Sequence, residues 1–153
     1  MKPGVLFSIL FILIISACSK DKITTKPQLE LKSTSTDVVQ INEALRVLMK
    51  FTDKEGDVDD SLLLVRERLN VKGPIVMPES KYSIPKFPDF SKGEFEVTLT
   101  YQFGLIFGLP PIRIPGSNPT RNEPDTLNLK FVARDQAGNK SDTLTLSNII
   151  VIR

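Results

Sequence analysis

Residues 94–103, EFEVTLTYQF, alternate polar and apolar side chains without a break. Successive side chains of a β-strand point to opposite faces of a sheet, so a repeat of two predicts a strand with one buried face. The apolar set is Phe95, Val97, Leu99, Tyr101 and Phe103. Sheets with one buried and one solvated face are typically antiparallel. We therefore expect this strand to run through Phe103 in an antiparallel sheet.

Similar alternation recurs in other runs of the chain. The apolar members are Leu45, Val47, Met49 and Phe51 in one run, Leu63, Val65 and Leu69 in the next, and Leu127, Leu129, Phe131 and Ala133 in a third. Most prolines and glycines lie between these runs, where they do not interrupt the hydrogen bonds of a sheet. Several short strands joined by turns predict an all-β antiparallel sandwich over residues 37–153. A barrel of similar size is the alternative.

The composition excludes several functional classes. The chain has 153 residues, a formal net charge of +2, no His, no Trp and one Cys. Without His, the commonest general base and metal ligand are missing, and one Cys cannot close an internal disulfide. A charge so close to balance does not predict nucleic-acid binding. Since no activated-nucleophile or phosphate-loop motif is present either, we expect no enzymatic activity and no nucleic-acid partner.

The amino-terminal residues have the character of a targeting segment. Residues 5–15 form an apolar run that only Ser8 interrupts. A helix of this length spans about 16 Å, against about 30 Å for the hydrocarbon core of a bilayer. That length suits the apolar region of a cleaved signal peptide. The run ends in Ile15-Ser16-Ala17-Cys18, which resembles the lipobox of bacterial lipoproteins.

The lipobox resemblance implies a lipid anchor. Residues 1–17 would be removed, and Cys18, acylated with palmitate-type chains, would become the first residue of the mature protein. Several acyl chains hold a protein stably at a bilayer. The expected bilayer is the bacterial outer membrane, and the protein would lie on its periplasmic face or on its surface face. Residues 18–36, rich in Lys, Thr and Ser, are then expected to be a flexible linker. The alternative is an ordinary secretory signal with a cysteine at the cleavage point by chance.

Two further segments resemble known bacterial sequences. Residues 51–58, FTDKEGDV, resemble the F-T-D-x-D-G-D-[IV] stretch of small Bacteroidota lipoproteins, with Glu55 where that pattern has Asp. Residues 131–142, FVARDQAGNKSD, resemble the D-x-A-G-N-x-S hairpin of bacterial immunoglobulin-like and cadherin-like domains. The resemblance implies an immunoglobulin-like β-sandwich and implies no enzymatic activity. Gly138 is expected to adopt the positive φ that a tight hairpin with a bulge requires.

The acidic loop in the first of these segments is a candidate metal site. Its candidate ligands are Asp53, Glu55, Asp57 and Asp59, with Asp135 of the hairpin as an extra ligand. Oxygen ligands on a glycine-containing loop suit Ca²⁺, and a cation would relieve the repulsion among the carboxylates. The spacing is not that of an EF-hand. A weak Ca²⁺ site is the one cofactor hypothesis, and a solvated turn is the alternative.

The segment 104–116, GLIFGLPPIRIPG, is apolar without a regular period. It either packs back on the sandwich or leaves an exposed apolar patch, and such patches mark binding partners or membranes. In the second case the residues predicted to contact a partner are Phe107, Leu109, Ile112 and Ile114.

These features predict a lipid-anchored, non-enzymatic cell-envelope protein. Its role would be that of a protein-interaction or structural module, with other envelope proteins as partners. The alternative is a Ca²⁺-assisted adhesive or carbohydrate-binding module at the cell surface. Sugar-binding platforms use flat aromatic rings, so the lack of Trp, with Tyr82 and Tyr101 as the two tyrosines, counts against the carbohydrate hypothesis.

We predict that Cys18→Ala abolishes labelling of the full chain by a palmitate analogue in growing cells, because the acylated thiol is gone. The unprocessed chain should also migrate more slowly on a gel than the parent. Ser19→Ala is the matched control and should be labelled and processed normally. Equal labelling of Cys18→Ala and parent would refute the lipid anchor.

Overall fold

The computed structural model describes residues 26–58, 60–84, 86 and 91–153. The predicted signal peptide, Cys18 and Asp59 therefore lie outside the described residues. Within the described ranges, no helix combines the length and the apolar character needed to cross a membrane.

The described residues form nine strands in two sheets. In chain order they are β1 (Gln28–Thr34), β2 (Val38–Val39), β3 (Ala44–Thr52), β4 (Ser61–Arg68), β5 (Ile75–Val76), β6 (Ser80–Tyr82), β7 (Lys92–Thr100), β8 (Asp125–Arg134) and β9 (Leu144–Val151). The first sheet has the order β1-β3-β7, and the second has the order β2-β9-β8-β4-β5, with β6 also paired to β4. Strand pairs are antiparallel except β2 with β9, which is parallel. The fold is thus an all-β sandwich of two open sheets, not a barrel.

The core lies between the two sheets, where alternate residues of each strand meet. β3 contributes one row of fully buried side chains and β8 another, and the eight are Leu45, Val47, Met49, Phe51, Leu127, Leu129, Phe131 and Ala133. They belong to one apolar cluster, in which Met49 stands opposite Phe95 of β7. Burial of each large apolar side chain contributes about 1.5–3 kcal/mol. The strands predicted for these two runs are confirmed.

The predicted flexible linker over residues 18–36 is wrong in its second half. Residues Gln28–Thr34 form β1, which pairs with β3 so that Gln28 stands opposite Thr52. β1 is an edge strand with a single neighbour, so most of its side chains face solvent and its composition is polar, while Leu29 packs against the core. Pro27 is buried as well. The sandwich therefore begins about ten residues before the predicted start at residue 37.

The strand predicted to run through Phe103 ends earlier. β7 stops at Thr100, and residues Tyr101–Ile106 form a short π-helical turn. Gly104 allows this turn to pack closely, since a Cβ there would lie 2.8 Å from the Leu99 Cα. The turn breaks the alternation, so Phe103 is exposed instead of buried.

The inward face of β4 is also not the predicted one. Leu62 and Leu64 are fully buried in the core, whereas Val65 is half-buried and Leu69 is exposed. Leu63 is buried outside the main apolar cluster. The inward positions that follow Leu64 are occupied by Arg66 and Arg68, both buried. Because two of the inward positions of β4 are arginines, its inward face does not appear as an apolar alternation in the sequence.

Buried arginines fix one end of the sandwich. Arg68 donates from Nε to the Gly73 carbonyl (2.6 Å) and from Nη1 to the Pro110 carbonyl (2.7 Å) and to Asp125 Oδ1 (3.2 Å). Arg153 Nε donates to the second oxygen of Asp125 at 2.6 Å. Asp125 is thus shared by two arginines, and the residual positive charge is met by backbone carbonyls. This cluster holds the loop after the π-helical turn against the second sheet.

We predict that Arg68→Met lowers the free energy of unfolding by about 3–5 kcal/mol, because it breaks a buried ion pair and leaves two partly buried carbonyls without this donor. Urea unfolding measures the change. Lys72→Met is the control, since it removes the exposed Lys72–Glu123 pair at 3.5 Å and should leave the unfolding midpoint nearly unchanged. Similar midpoints for both variants would contradict this role of Arg68.

Candidate functional site

Three carboxylates meet at the end of the sandwich opposite the arginine cluster. Asp53 and Asp57 follow β3 of the first sheet, and Asp135 follows β8 of the second. One carboxylate oxygen from each lies within 4.8 Å of the other two. β3 and β8 both finish at this end of the sandwich, which is why residues about eighty positions apart in the chain come together.

The loop after β3 is shaped by Asp53. Asp53 Oδ2 accepts hydrogen bonds from the backbone N–H of Gly56 (2.9 Å) and of Asp57 (3.2 Å). Gly56 has a φ of +77°, a conformation that glycine adopts without a steric cost. The Asp53 N–H donates to the Ser91 carbonyl at 2.8 Å, so the residue that begins the loop is itself fixed.

The hairpin between β8 and β9 positions Asp135. Asp135 Oδ1 accepts from the Asn139 N–H (2.7 Å) and Oδ2 from its side-chain amide (2.9 Å). Gly138 has a φ of +90°, as the sequence predicts. The Gln136 N–H donates to the Asp57 carbonyl at 3.2 Å and joins the hairpin to the acidic loop. The two loops therefore hold the three carboxylates in a fixed relation.

No basic side chain of the described residues compensates the negative charge of the cluster. Asp53 and Asp135 are buried, and Oδ1 of Asp53 and Oδ1 of Asp57 are buried atoms without a hydrogen-bond partner. Within the described part of the chain, no Lys or Arg forms an ion pair with any of the three. Desolvation raises the pKa of the Asp57 carboxyl, and contact with Asp53 and the charge of Asp135 raise it further.

A divalent cation is the group that this arrangement can hold. Hard cations take carboxylate and carbonyl oxygens as ligands, and the cluster offers carboxylate oxygens, two of them buried and without a hydrogen-bond partner. A cation would also offset the repulsion among the three carboxylates, which burial strengthens. The site has the chemistry of a Ca²⁺ or Mg²⁺ site and not of a thiolate or imidazole metal centre.

The structure selects among the predicted metal ligands. It brings Asp53, Asp57 and Asp135 together but leaves Glu55 exposed and outside the cluster. The turn after Asp53 thus places Glu55 apart from the three clustered carboxylates and exposes it to solvent. Asp59 lies outside the described residues. Asp60, next in the chain, instead accepts a hydrogen bond from Ser61 Oγ at 2.8 Å. This bond lowers the pKa of the Asp60 carboxyl, and the charge of the nearby Lys81 lowers it further.

The predicted partner-contact residues do not share one environment. Leu109 is buried in the core, Ile112 and Ile114 are half-buried, and Phe107 is exposed. Of the two alternatives for this segment, Leu109 therefore packs back on the sandwich, whereas Phe107 is part of an exposed apolar surface. Phe103, which the sequence places in the core, lies beside Phe107 with its ring centroid 6.4 Å away. A break of alternation at Tyr101–Ile106 is not visible in the sequence.

Comparison with known proteins finds distant structural similarities only. No protein-family model and no curated protein sequence match the chain. The sporulation control protein Spo0M from Bacillus subtilis is similar in structure over 85% of this chain and 51% of that chain, at 11% identity and a TM-score of 0.42. The chain thus spans about half of the Spo0M structure. A β-glucosidase from Listeria innocua, in complex with gluconolactone, is similar over 84% of this chain and 16% of that chain, at 11% identity and a TM-score of 0.38.

A match to a Niemann-Pick type C2 protein from the Japanese carpenter ant extends over a larger share of the matched protein than the two matches above. That protein is similar over 82% of this chain and 88% of that chain, at 13% identity and a TM-score of 0.34. Similarities at these identities and scores carry no information about ligand, partner or activity.

We predict that Asp57→Asn raises the melting temperature in EDTA, because it removes one of three repelling carboxylates and its amide can donate to a neighbouring one. The raised pKa of Asp57 means that the folded state binds its proton more tightly than the unfolded state. Acidification from about pH 7 to about pH 4 should therefore stabilise the parent relative to the variant and reduce the difference between their melting temperatures.

Glu55→Gln is the control for this measurement, since it makes the same charge change on the same loop outside the cluster. It should leave the melting temperature and its pH dependence near those of the parent. If the parent were more stable than Asp57→Asn in EDTA at neutral pH, repulsion among the three carboxylates would not destabilise the fold.

Proposed function

We propose that this chain is a calcium-binding, non-enzymatic module of the cell envelope, held to a bilayer through acylated Cys18. One observation carries the calcium binding: Asp53 and Asp57 each bury a carboxylate oxygen that has no hydrogen-bond partner in the described structure. A buried, unpaired carboxylate oxygen is strongly destabilising. A cation bound at the cluster supplies the missing partner.

Ca²⁺ fits the cluster better than Mg²⁺. Mg²⁺ requires near-ideal octahedral geometry at short distances and keeps several waters, whereas Ca²⁺ accepts six to eight oxygens in flexible geometry. The ligands here come from two separate turns, and two of their oxygens, Asp53 Oδ2 and Asp135 Oδ1, also accept backbone hydrogen bonds. Such a shared, irregular ligand set suits the larger ion. The weak affinities of extracellular calcium modules are the expected range.

The cation has a structural role in this proposal. Asp53 directly follows β3 of the first sheet and Asp135 directly follows β8 of the second, so an ion bound to the cluster would join the two sheets at this end. A cross-link of this kind stabilises the folded state only and requires no substrate. The chain also contains no His and one Cys, which leaves few routes to nucleophilic catalysis. These two points support a module that binds and does not catalyse.

The lipid anchor and the finer fold class complete the proposal. The sequence Ile15-Ser16-Ala17-Cys18 supports the anchor, and its expected place is the outer membrane. The strand order β1-β3-β7 against β2-β9-β8-β4-β5, with β2 parallel to β9, supports an immunoglobulin-like sandwich within the all-β class. Gln28 pairs with Thr52, so the chain enters the fold beside the carboxylate cluster. We therefore place the calcium end of the sandwich towards the bilayer.

We predict that Ca²⁺ at 100 times its Kd adds about 2.7 kcal/mol to the free energy of unfolding, equivalent to a rise of roughly 10 °C in melting temperature for a domain of this size. A thermal melt of the full chain with Ca²⁺ against EDTA measures the rise. Asp135→Asn should lose most of it, because the second sheet then contributes no carboxylate.

Glu55→Gln is again the matched control and should respond to Ca²⁺ like the parent. Mg²⁺ at the same concentration should give a smaller rise. No rise with the parent at millimolar Ca²⁺, or an equal rise with parent and Asp135→Asn, would exclude this site.

A further inference from the structure

Two phenylalanines project from the end of the sandwich that lies opposite the carboxylate cluster. The side chain of Phe103 is 74% exposed and that of Phe107 is 60% exposed, and their rings are tilted by 37° at a centroid distance of 6.4 Å. Together they form a continuous aromatic surface in water. Aromatic rings gain most from burial among side chains, so such a pair marks a binding surface.

The backbone beneath the two rings is held firmly. Arg66, which is buried, donates from Nη1 to the carbonyls of Leu105 (2.8 Å) and Phe107 (3.0 Å). Leu105 between the rings is fully buried, and the Leu109 N–H donates to the Ile106 carbonyl at 2.9 Å. The rings are therefore exposed by a fixed turn. A fixed turn limits the entropy lost when a partner binds.

A concavity lies beside Phe103. Its lining residues are Asn42, Glu43, Ala44, Thr100, Tyr101, Gln102 and Phe103, and its volume is about 280 Å³. The Tyr101 N–H donates to the Glu43 carbonyl at 3.0 Å, so the two sides of the concavity are joined. The Glu43 carboxylate accepts one long bond, from the Gln40 N–H at 3.3 Å, and forms no ion pair with any basic residue of the described ranges.

The place of this surface in the fold argues against the anchoring bilayer as its occupant. The chain enters the described fold at Lys26, near Thr52, whereas the aromatic turn follows Thr100, which stands opposite Ala44. Ala44 and Thr52 are the two ends of β3, so the two places are separated by roughly 27 Å along that strand. In the lipid-anchored protein proposed above, the segment that leads to the anchor therefore joins the fold at the opposite end of β3 from the aromatic turn.

We propose that Phe103, Phe107 and Glu43 bind a segment of a partner protein that presents an arginine flanked by apolar side chains. A guanidinium stacks on an aromatic face and pairs with a carboxylate, and this concavity offers an exposed ring beside an unpaired carboxylate. The apolar flanks of the segment would cover the second ring. Arginine fits better than lysine because its planar group makes both contacts at once.

The test uses fluorescently labelled peptides and the full chain purified in non-ionic detergent. Fluorescence anisotropy compares SLRLS with SLQLS, which differ in the central residue. We expect the arginine peptide to bind about fivefold more tightly than the glutamine peptide. Glu43→Gln should reduce this preference, with stacking on the ring as the remaining contact, and should leave the binding of SLQLS unchanged. Phe103→Ser and Phe107→Ser should each weaken binding of both peptides about tenfold.

Val76→Ser is the matched control, because Val76 is an apolar residue 64% exposed that does not line the concavity. It should bind both peptides like the parent. All four variants should retain the parent's melting temperature and calcium response, which separates this test from that of the cation site. Equal binding of the two peptides, or unchanged binding by Phe103→Ser, would overturn the proposal.

Two other occupants have their own signatures. Concentration-dependent dimers that Phe107→Ser abolishes would assign the surface to a second copy of this chain. Co-sedimentation of residues 19–153, which lack the apolar leader and Cys18, with phosphatidylcholine vesicles would assign it to a lipid surface if Phe103→Ser abolished that co-sedimentation. Either result, without a preference for the arginine peptide, replaces the proposed partner.

Discussion

Charge buried at the two ends of the sandwich is the constraint on which the rest of the structure depends. Alternation along the strands covers the inner faces of both sheets, but it leaves the two ends open. One end is closed by Arg68 and Arg153 around Asp125, and carbonyl groups of the adjoining loop accept the remaining donors. The other end is closed by three carboxylates with no cation among the described residues. The first end is balanced within the described residues, and in the function proposed above a bound cation balances the second.

The sequence predicts the strands whose inner faces are wholly apolar. β3 and β8 follow the rule of two throughout, so their alternation identifies both the strands and their buried faces. β4 does not, because Arg66 and Arg68 take inward positions and the visible alternation then belongs to the other face. β1 escapes notice because an edge strand has one neighbour and little apolar surface to cover. The failures at β4 and β1 therefore arise where hydrophobic periodicity does not apply, at buried charge in one case and at a half-covered edge in the other.

The residue types of the candidate site could be predicted from the sequence, but the orientation of each side chain could not. Carboxylates on a glycine-containing turn beside a strand end indicate a cation site, and Asp135 joins it because β3 and β8 end together. Spacing alone cannot tell which members of an acidic run point inward. The hydrogen bonds of Asp53 to the N–H groups of Gly56 and Asp57 close the turn, and that closure leaves Glu55 outside. A side chain's direction in a turn depends on such bonds, and these appear only with the structure.

The two ends of the sandwich should act independently of each other. A cation at the carboxylate end draws together two turns, and the strands between the ends are fixed by the apolar core and by their register. At the aromatic end, Arg66 already holds the carbonyls of Leu105 and Phe107, so no second arrangement of that turn is apparent for a distant ion to favour. Coupling between sites requires an element with two arrangements that both sites bias. Calcium is therefore expected to set the stability of the whole sandwich and to leave the affinity of its aromatic end unchanged, so that one end maintains the fold while the other makes the contact.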